Sequence, residues 1–192
     1  MAENELYQHK TGGFLKFYKN FGIDISGFES TGLTSLMSWL PYFTHWQSII
    51  LVHNTFTSQA DLNFIREYKS IQKIGSAIYH CLCINANLYI EQQAPPISLL
   101  RANNCTILIG TDSYASNWQL NMLEEMKAIQ LATNNAIPLQ EVLGWATING
   151  AKALQIDHIF GSFEKGKQPG LVHIDKIENM HFSAKSIATR LK

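Results

Sequence analysis

The chain carries no excess of charge of either sign, and this excludes several classes of partner. Lys plus Arg and Asp plus Glu both number 15, so the formal net charge is +0 at pH 7. The sequence contains no basic run that would mark a nucleic-acid site or a site for an anionic membrane surface. A neutral small molecule or a protein is therefore the better partner, and we expect neither nucleic acid nor membrane.

Cysteine is also scarce. The chain has 3 cysteines, Cys81, Cys83 and Cys105, an odd number at short spacing. This argues against a disulfide framework and favours a reducing compartment. Cys81 and Cys83 would suggest a metal site only with a second Cys or His pair at finger spacing, which the sequence lacks. We interpret both as core residues.

Long apolar runs are absent as well. No run approaches the roughly 18 residues that a membrane span needs. The polar residues 1–5 show no basic segment followed by an apolar one, which is the pattern of a secretory signal. We therefore expect a soluble, cytoplasmic protein.

The residues that are present are typical of one globular core, with 46% hydrophobic and 16% charged residues in 192 positions. Three apolar runs predict strands: residues 48–52, 78–83 and 105–109. Between and around them, polar and helical patterns predict a loop at residues 84–89 and a set of helices. These helices cover residues 3–10, 14–21, 33–40, 59–68, 97–103, 118–131, 139–146 and 148–154. The aromatic residues at helical spacing in the second helix, Phe14, Phe17, Tyr18 and Phe21, are predicted to lie in the core, and residues 124–127 to form a solvated edge. Residues 160–175 are rich in glycine and predict a β-hairpin.

This order predicts an α/β fold with a parallel sheet or barrel and a small β appendage. Two of the predicted strands end in a titratable residue, His53 after the first and Asp112 after the third. The carboxyl ends of parallel strands are where α/β folds keep their chemistry. Asp112 can also be an ordinary helix cap, and His53 an ordinary hydrogen-bonding residue. Two such strand ends in one chain favour the catalytic interpretation of both.

Five motifs, taken together and in chain order, resemble the amidohydrolase superfamily. They are residues 51–54 (LVHN), 83–88 (CINANL), 110–117 (GTDSYASN), 146–154 (ATINGAKAL) and 161–167 (GSFEKGK). Within the superfamily they are most similar to the aminohydrolases and chlorohydrolases, which include guanine deaminase and the adenosine-derivative deaminases. The resemblance implies a TIM-like (β/α)8 barrel with a metal-activated water and a flanking β-sandwich. Residues 1–159 would then form part of the barrel, about strands six to eight, and residues 160–192 part of the sandwich.

The resemblance also implies roles for individual residues. Asp112 would close the eighth strand, bind zinc or another divalent metal and take a proton from water. His53 would close the sixth strand and contact the substrate at the reacting carbon. Glu3, at the end of an H-x-A-E pattern, would carry a proton to the leaving group. Asn87 and Ser113 lie within matched motifs, and we expect them to bind the substrate.

The implied reaction is hydrolysis of a non-peptide C–N bond, as in deamination of a nitrogen heterocycle. The family's histidine would fall one position before Met1, and its H-x-H pair is not found in this sequence. We therefore expect this chain to be the carboxyl-terminal half of such an enzyme, inactive and without firmly bound metal when isolated. Unpaired strand edges predict self-association or pairing with the missing amino-terminal half. The alternative is a non-catalytic half-barrel that serves as an association or folding module.

Overall fold

The computed structural model describes residues 2–43, 47–71 and 77–191. Met1, which begins the segment that resembles the H-x-A-E pattern, lies outside them. The chain divides into two compact units, one of residues 1–47 with 56–76 and one of residues 48–55 with 77–192. The domain boundary predicted after residue 159 stays a prediction. No helix in the described ranges has the length and apolar character needed to cross a membrane.

The first unit is helical. Its helices are α1 (Ala2–His9), α2 (Gly13–Asn20), α3 (Ser35–Trp39) and α4 (Gln59–Ile71), with a short 3-10 turn at Leu40–Tyr42. Each corresponds to a helix predicted from the sequence, although α3 begins two residues later and α4 ends three residues later than predicted. Apolar spacing thus located these helices well and their ends less well.

A buried carboxylate fixes the start of α4. Asp61 accepts hydrogen bonds from the backbone nitrogen of Ser58 at 2.8 Å, from Ser58 Oγ at 2.7 Å and from Thr34 Oγ1 at 2.5 Å. Ser58 and Asp61 form a reciprocal capping box, because Ser58 Oγ lies 3.2 Å from the backbone nitrogen of Asp61. Thr34 is also the N-cap of α3, where it accepts from the backbone nitrogen of Met37. One carboxylate therefore joins the starts of α3 and α4.

The prediction that the aromatic residues of α2 form a core is wrong. No residue of α2 is buried, and Phe17 and Phe21 are 48% and 69% exposed. Their rings pack on one another instead, with centroids 4.7 Å apart, and Phe14 stacks on Tyr18 at 5.8 Å. Residues four apart lie side by side on a helix surface, so helical spacing of aromatics indicates contact along the helix and not burial.

The second unit is built on a parallel sheet of β1 (Ile49–Val52), β2 (Ile78–Leu82) and β3 (Thr106–Ile109), in the order β1-β2-β3. Leu51 is in register with His80, and His80 with Ile107. All five residues of β2 are buried. A strand covered on both faces and paired on both edges favours an apolar run, and the sequence has one here apart from His80.

Helices surround this sheet: α5 (Ile84–Glu91), α6 (Ile97–Ala102), α7 (Met122–Ala132), α8 (Leu139–Ala146) and α9 (Ile148–Ala153). The loop predicted at residues 84–89 is wrong, because this segment is α5 and its polar residue Asn87 is buried. The helix predicted from Trp118 begins at Met122, since Asn121 Oδ1 caps it by accepting from the backbone nitrogen of Leu123 at 3.0 Å.

A side chain from α9 binds the outer edge of β3. The backbone nitrogen of Gly110 donates to Leu82 O at 2.9 Å. In β3 the backbone groups of every second residue, counted back from Gly110, therefore point toward β2. Ile107 therefore turns its backbone groups away from β2. Asn149 Nδ2 donates to Ile107 O at 2.6 Å. The outward carbonyl of the strand is thus satisfied by a side chain.

The residues after 160 form two small antiparallel ladders. The strand β4 (Val172–Ile174) pairs with β7 (Ala188–Arg190), and β5 (Ile177–Glu178) pairs with β6 (His181–Phe182). As described, residues 160–171 of the predicted hairpin contain no strand, and its one strand is β4. The buried Gln130 of α7 holds the second ladder, with Oε1 accepting from the backbone nitrogen of Phe182 at 2.9 Å.

Gly110, where β3 ends, provides a test of how tightly the sheet unit is packed. A Cβ at this position would lie 3.0 Å from Cys81 Sγ and 3.3 Å from Cys83 Sγ. Gly110→Ala should therefore lower the free energy of unfolding by about 1–3 kcal/mol through overpacking. Urea unfolding of the purified chain measures this.

Gly150→Ala in α9 is the matched control. A Cβ there meets nothing within 4 Å. Alanine is the better helix former, so this variant should be as stable as the wild type or more stable by up to about 1 kcal/mol. Equal effects of the two substitutions would contradict the packing described for Gly110.

Candidate active site

His53 and Asp112, the titratable residues predicted at two strand ends, lie together at one edge of the sheet. His53 Nε2 is 3.9 Å from Asp112 Oδ2, and the two side chains are 40% and 31% exposed. His53 directly follows β1, and Asp112 lies shortly after the end of β3. Each has a left-handed backbone, with φ of 70° at His53 and 58° at Asp112. Such backbone conformations are uncommon outside glycine and are found at functional sites. Solvent or a ligand can reach both groups.

Ser116 holds the carboxylate of Asp112. Ser116 Oγ donates to Asp112 Oδ2 at 2.5 Å, and Ser116 is buried. Ser113, expected to bind the substrate, is exposed in the same turn, and its hydroxyl lies 3.2 Å from Ser116 Oγ. The turn therefore fixes Asp112 from inside and leaves Ser113 exposed.

Asn87, the other expected substrate-binding residue, contacts the backbone of the site. Its Nδ2 donates to His53 O at 3.1 Å and to Thr55 Oγ1. The residue is only 2% exposed, and its buried Oδ1 has no hydrogen-bond partner among the described residues. The structure thus shows Asn87 holding the segment after β1, while contact with a substrate stays a prediction.

Beneath this edge lies a neutral histidine. Asn54 Nδ2 donates to Leu51 O at 2.8 Å and to Cys81 O at 3.2 Å, and Asn54 Oδ1 lies 2.9 Å from His80 Nδ1. Because the Asn54 amide nitrogen already donates twice, Nδ1 of His80 carries the proton in this pair. Burial lowers the pKa of His80 to about 4, so the ring is uncharged near neutral pH.

Cys81 and Cys83 are buried core residues, as predicted. The two thiols share a hydrogen bond, which raises the pKa of Cys83 and lowers that of Cys81, and burial adds to the rise at Cys83. Cys83 therefore stays a neutral thiol at physiological pH.

The sequence did not predict that Glu125 is buried beside this site. The interpretation of residues 124–127 as a solvated edge is wrong for this residue, which is 0% exposed. Its carboxylate accepts from Asn85 and from Asn117 Nδ2. The available signal was helical spacing, because Glu125 lies four residues before the fully buried Ile129 on the same face of α7.

Glu3 is exposed in the first turn of α1, in the helical unit, whereas His53 and Asp112 belong to the sheet unit. Its role as the residue that carries a proton to the leaving group stays a prediction.

In residues 2–43, 47–71 and 77–191 no group of three His, Cys, Asp or Glu side chains is placed to hold a metal ion. A catalytic zinc takes about three protein ligands and a water. The described residues therefore fit part of such a site, with Asp112 as the ligand and His53 beside it.

A parallel sheet with a histidine and an aspartate at its carboxyl edge is the arrangement of an α/β protein that keeps its chemistry at the ends of its strands. A model described as "Amidohydrolase family" matches residues 25–190. The chain belongs to the amidohydrolase family, as the motifs predicted.

Two curated relatives and one solved structure show what the chain is similar to. A 5-methylthioadenosine/S-adenosylhomocysteine deaminase of Thermoanaerobacter pseudethanolicus is 34% identical over 139 residues, 69% of this chain and 30% of the relative. A 5'-deoxyadenosine deaminase of Methanococcus maripaludis is 34% identical over 155 residues, 77% of this chain and 34% of the relative. The crystal structure of Helicobacter pylori aminofutalosine deaminase matches with a TM-score of 0.67 and 26% identity, over 88% of this chain and 40% of that one. The chain thus spans about a third of the relatives' length.

The neutral His80 makes stability depend on pH in a defined direction. Its pKa is about 4 in the folded chain and 6.5 as the reference for the unfolded one. The unfolded chain therefore binds the proton first, and stability that is present above pH 6.5 is lost as the pH falls toward 4. Between pH 7.5 and 5 the loss from this residue should be about 2 kcal/mol, at about 1.4 kcal/mol per pKa unit.

Urea unfolding of wild type and His80→Gln at both pH values checks this. The variant lacks the titrating group, so its loss of stability on acidification should be smaller than that of the wild type by this amount. Equal losses in the two proteins would show that His80 is not buried as a neutral residue.

Proposed function

We propose that this chain supplies part of the active site of a metal-dependent amidohydrolase that deaminates a nitrogen heterocycle. The observation that carries the proposal is the pair of His53 and Asp112, 3.9 Å apart at the carboxyl edge of the sheet. The relatives named as deaminases of adenosine derivatives support an adenine nucleoside as the substrate class.

Asp112 is the residue that would hold the metal and accept a proton from water. Ser116 and His53 both approach its Oδ2. Among the described residues, this leaves Oδ1 as the oxygen available to a further ligand. A divalent ion such as zinc, when bound, supplies the Lewis acidity that makes water a nucleophile near neutral pH.

His53 and Glu3 would complete the proton transfers. The partly exposed Nε2 of His53 would donate a hydrogen bond to the substrate beside the attacked carbon, and Glu3 would deliver a proton to the departing ammonia. The exposed residue Ser113 would bind the substrate, and Asn87 would do so or would act only through the backbone of His53.

We further propose that β1, β2 and β3 correspond to strands six to eight of a TIM-like barrel. The remaining metal donors would then come from sequence outside these residues. The outer strand β1 exposes Val52 and part of Ile50. This favours pairing with the rest of a barrel or with a second copy, and it is also the observation that supports the alternative, an association module without catalysis.

The product of the complete gene, purified with zinc, tests the catalytic proposal by ammonia release from 5'-deoxyadenosine and S-adenosylhomocysteine. Asp112→Asn should lower kcat by at least about 100-fold, because it removes a metal ligand and a proton acceptor. Asp157→Asn is the control and should retain activity. No ammonia release from any adenine nucleoside, or full activity of Asp112→Asn, would exclude the proposed role.

The 192-residue chain alone should release no ammonia and retain less than one zinc per chain after gel filtration, because its described donors fill only part of a zinc coordination shell. Elemental analysis of the purified chain measures the metal. One zinc per chain in the wild type, lost in Asp112→Asn, would show instead that these residues form a complete metal site.

A further inference from the structure

The carboxylate of Glu125 joins the start of α5 to the loop after β3 that carries Asp112. It is fully buried on α7, and its hydrogen bonds run to α5 and to the loop after β3. We propose that Glu125 is a positioning residue that sets the relative placement of His53 and Asp112. This inference rests on the proposed function, since it assigns to Glu125 the support of that same site.

One side of the carboxylate fixes the start of α5. Glu125 Oε2 accepts from the backbone nitrogen of Asn85 at 3.1 Å, and Oε1 accepts from Asn85 Nδ2 at 3.0 Å. The N-cap residue Cys83 makes no side-chain cap hydrogen bond in the described structure. Glu125 therefore caps α5 from another helix, and α5 in turn carries Asn87, whose amide donates to His53 O.

The same carboxylate also fixes the loop after β3. Glu125 Oε1 accepts from Asn117 Nδ2 at 2.8 Å. The same nitrogen donates to Thr111 O at 2.6 Å, at the peptide bond that joins Thr111 to Asp112. Asp112 has its left-handed backbone directly after this anchored carbonyl. Through Asn117, the carboxylate thus restrains the backbone that aims Asp112.

The chemistry of this position requires a carboxylate. Three N–H groups, two from Asn85 and one from Asn117, converge on Glu125, and a carboxylate offers only acceptors. Glutamine would turn an NH2 group toward one of these donors. A buried carboxylate is stable only when hydrogen-bonded, and the partial positive charge at the N-terminus of α5 adds to this stabilisation.

Glu125→Gln in the complete gene product tests the proposal, with Glu124→Gln as the matched control. Glu124 is the neighbouring carboxylate on α7, partly exposed and paired with Lys127 at 2.7 Å. Glu125→Gln should lower kcat by about 10–100-fold with a smaller change in KM, the usual effect of losing a residue that orients a metal ligand. Glu124→Gln should retain kcat within about twofold, as expected for a surface ion pair.

A second measurement on the 192-residue chain does not depend on activity. In Glu125→Gln, the side-chain NH2 signals of Asn85 and Asn117 and the backbone amides of residues 111–116 should shift in NMR spectra. Those backbone amides should also exchange with solvent about tenfold faster. In Glu124→Gln the shifts should stay within α7 and near Ser186, whose carbonyl Lys127 binds.

The outcomes separate the two proposals. If the wild type deaminates nothing and the amide changes still appear, the proposed function fails and the positioning of the Asp112 loop by Glu125 stands. If the amides of residues 111–116 are undisturbed, or if folded Glu125→Gln has the wild-type kcat, the positioning role is wrong. A lower melting temperature with unchanged kcat per folded molecule also overturns it, since Glu125 would then act on stability alone.

Asn117→Ala replaces Glu125→Gln if that variant does not fold. It removes the connection from Glu125 to Thr111, together with the acceptor that Asn117 Oδ1 offers to the backbone nitrogen of Gln119, and it leaves the contacts of Glu125 with Asn85 in place. The same fall in kcat and the same changes at residues 111–116 are expected. Wild-type kcat with undisturbed amides in Asn117→Ala would overturn the proposal.

Discussion

The burial of β2 on both faces is the constraint on which the sheet unit depends. A strand covered by protein on all sides must find every backbone partner in its neighbours, and here β1 and β3 supply them in parallel. Parallel pairing brings the carboxyl ends of the strands to one edge. His53 and Asp112 meet there because the chain leaves β1 and β3 in the same direction, although 59 positions separate them in the sequence.

Polar side chains inside the second unit complete what the sheet begins. Asn54 binds carbonyls inside β1 and β2, and Asn87 and Asn117 bind carbonyls in the segments that leave β1 and β3. A side-chain amide carries two donor hydrogens and an acceptor oxygen, so one such group can bridge two segments. The buried amides therefore hold the backbone around the strand ends. His53 and Asp112 stay partly exposed at the carboxyl edge of the sheet.

The sequence predicted the apolar strands, the family and the positions of His53 and Asp112 after two parallel strands, because apolar runs and motifs are read directly from the order of the residues. It failed where burial is decided by distant partners. Asn87 and Glu125 are polar and were placed in a loop and on a solvated edge, yet both are buried through hydrogen bonds to remote segments. The prediction for Phe17 and Phe21 failed in the opposite direction, because both rings were expected in the core and both are exposed. Helical spacing alone does not show whether a partner covers such rings.

The hydrogen bond from Asn149 to Ile107 O has a kinetic consequence. An incoming strand that adds to β3 needs this carbonyl, and the amide must rotate away before the two backbones can pair. The side chain thus occupies the hydrogen-bonding group that a further strand beside β3 would use. Such a strand would have to replace this hydrogen bond with one of its own.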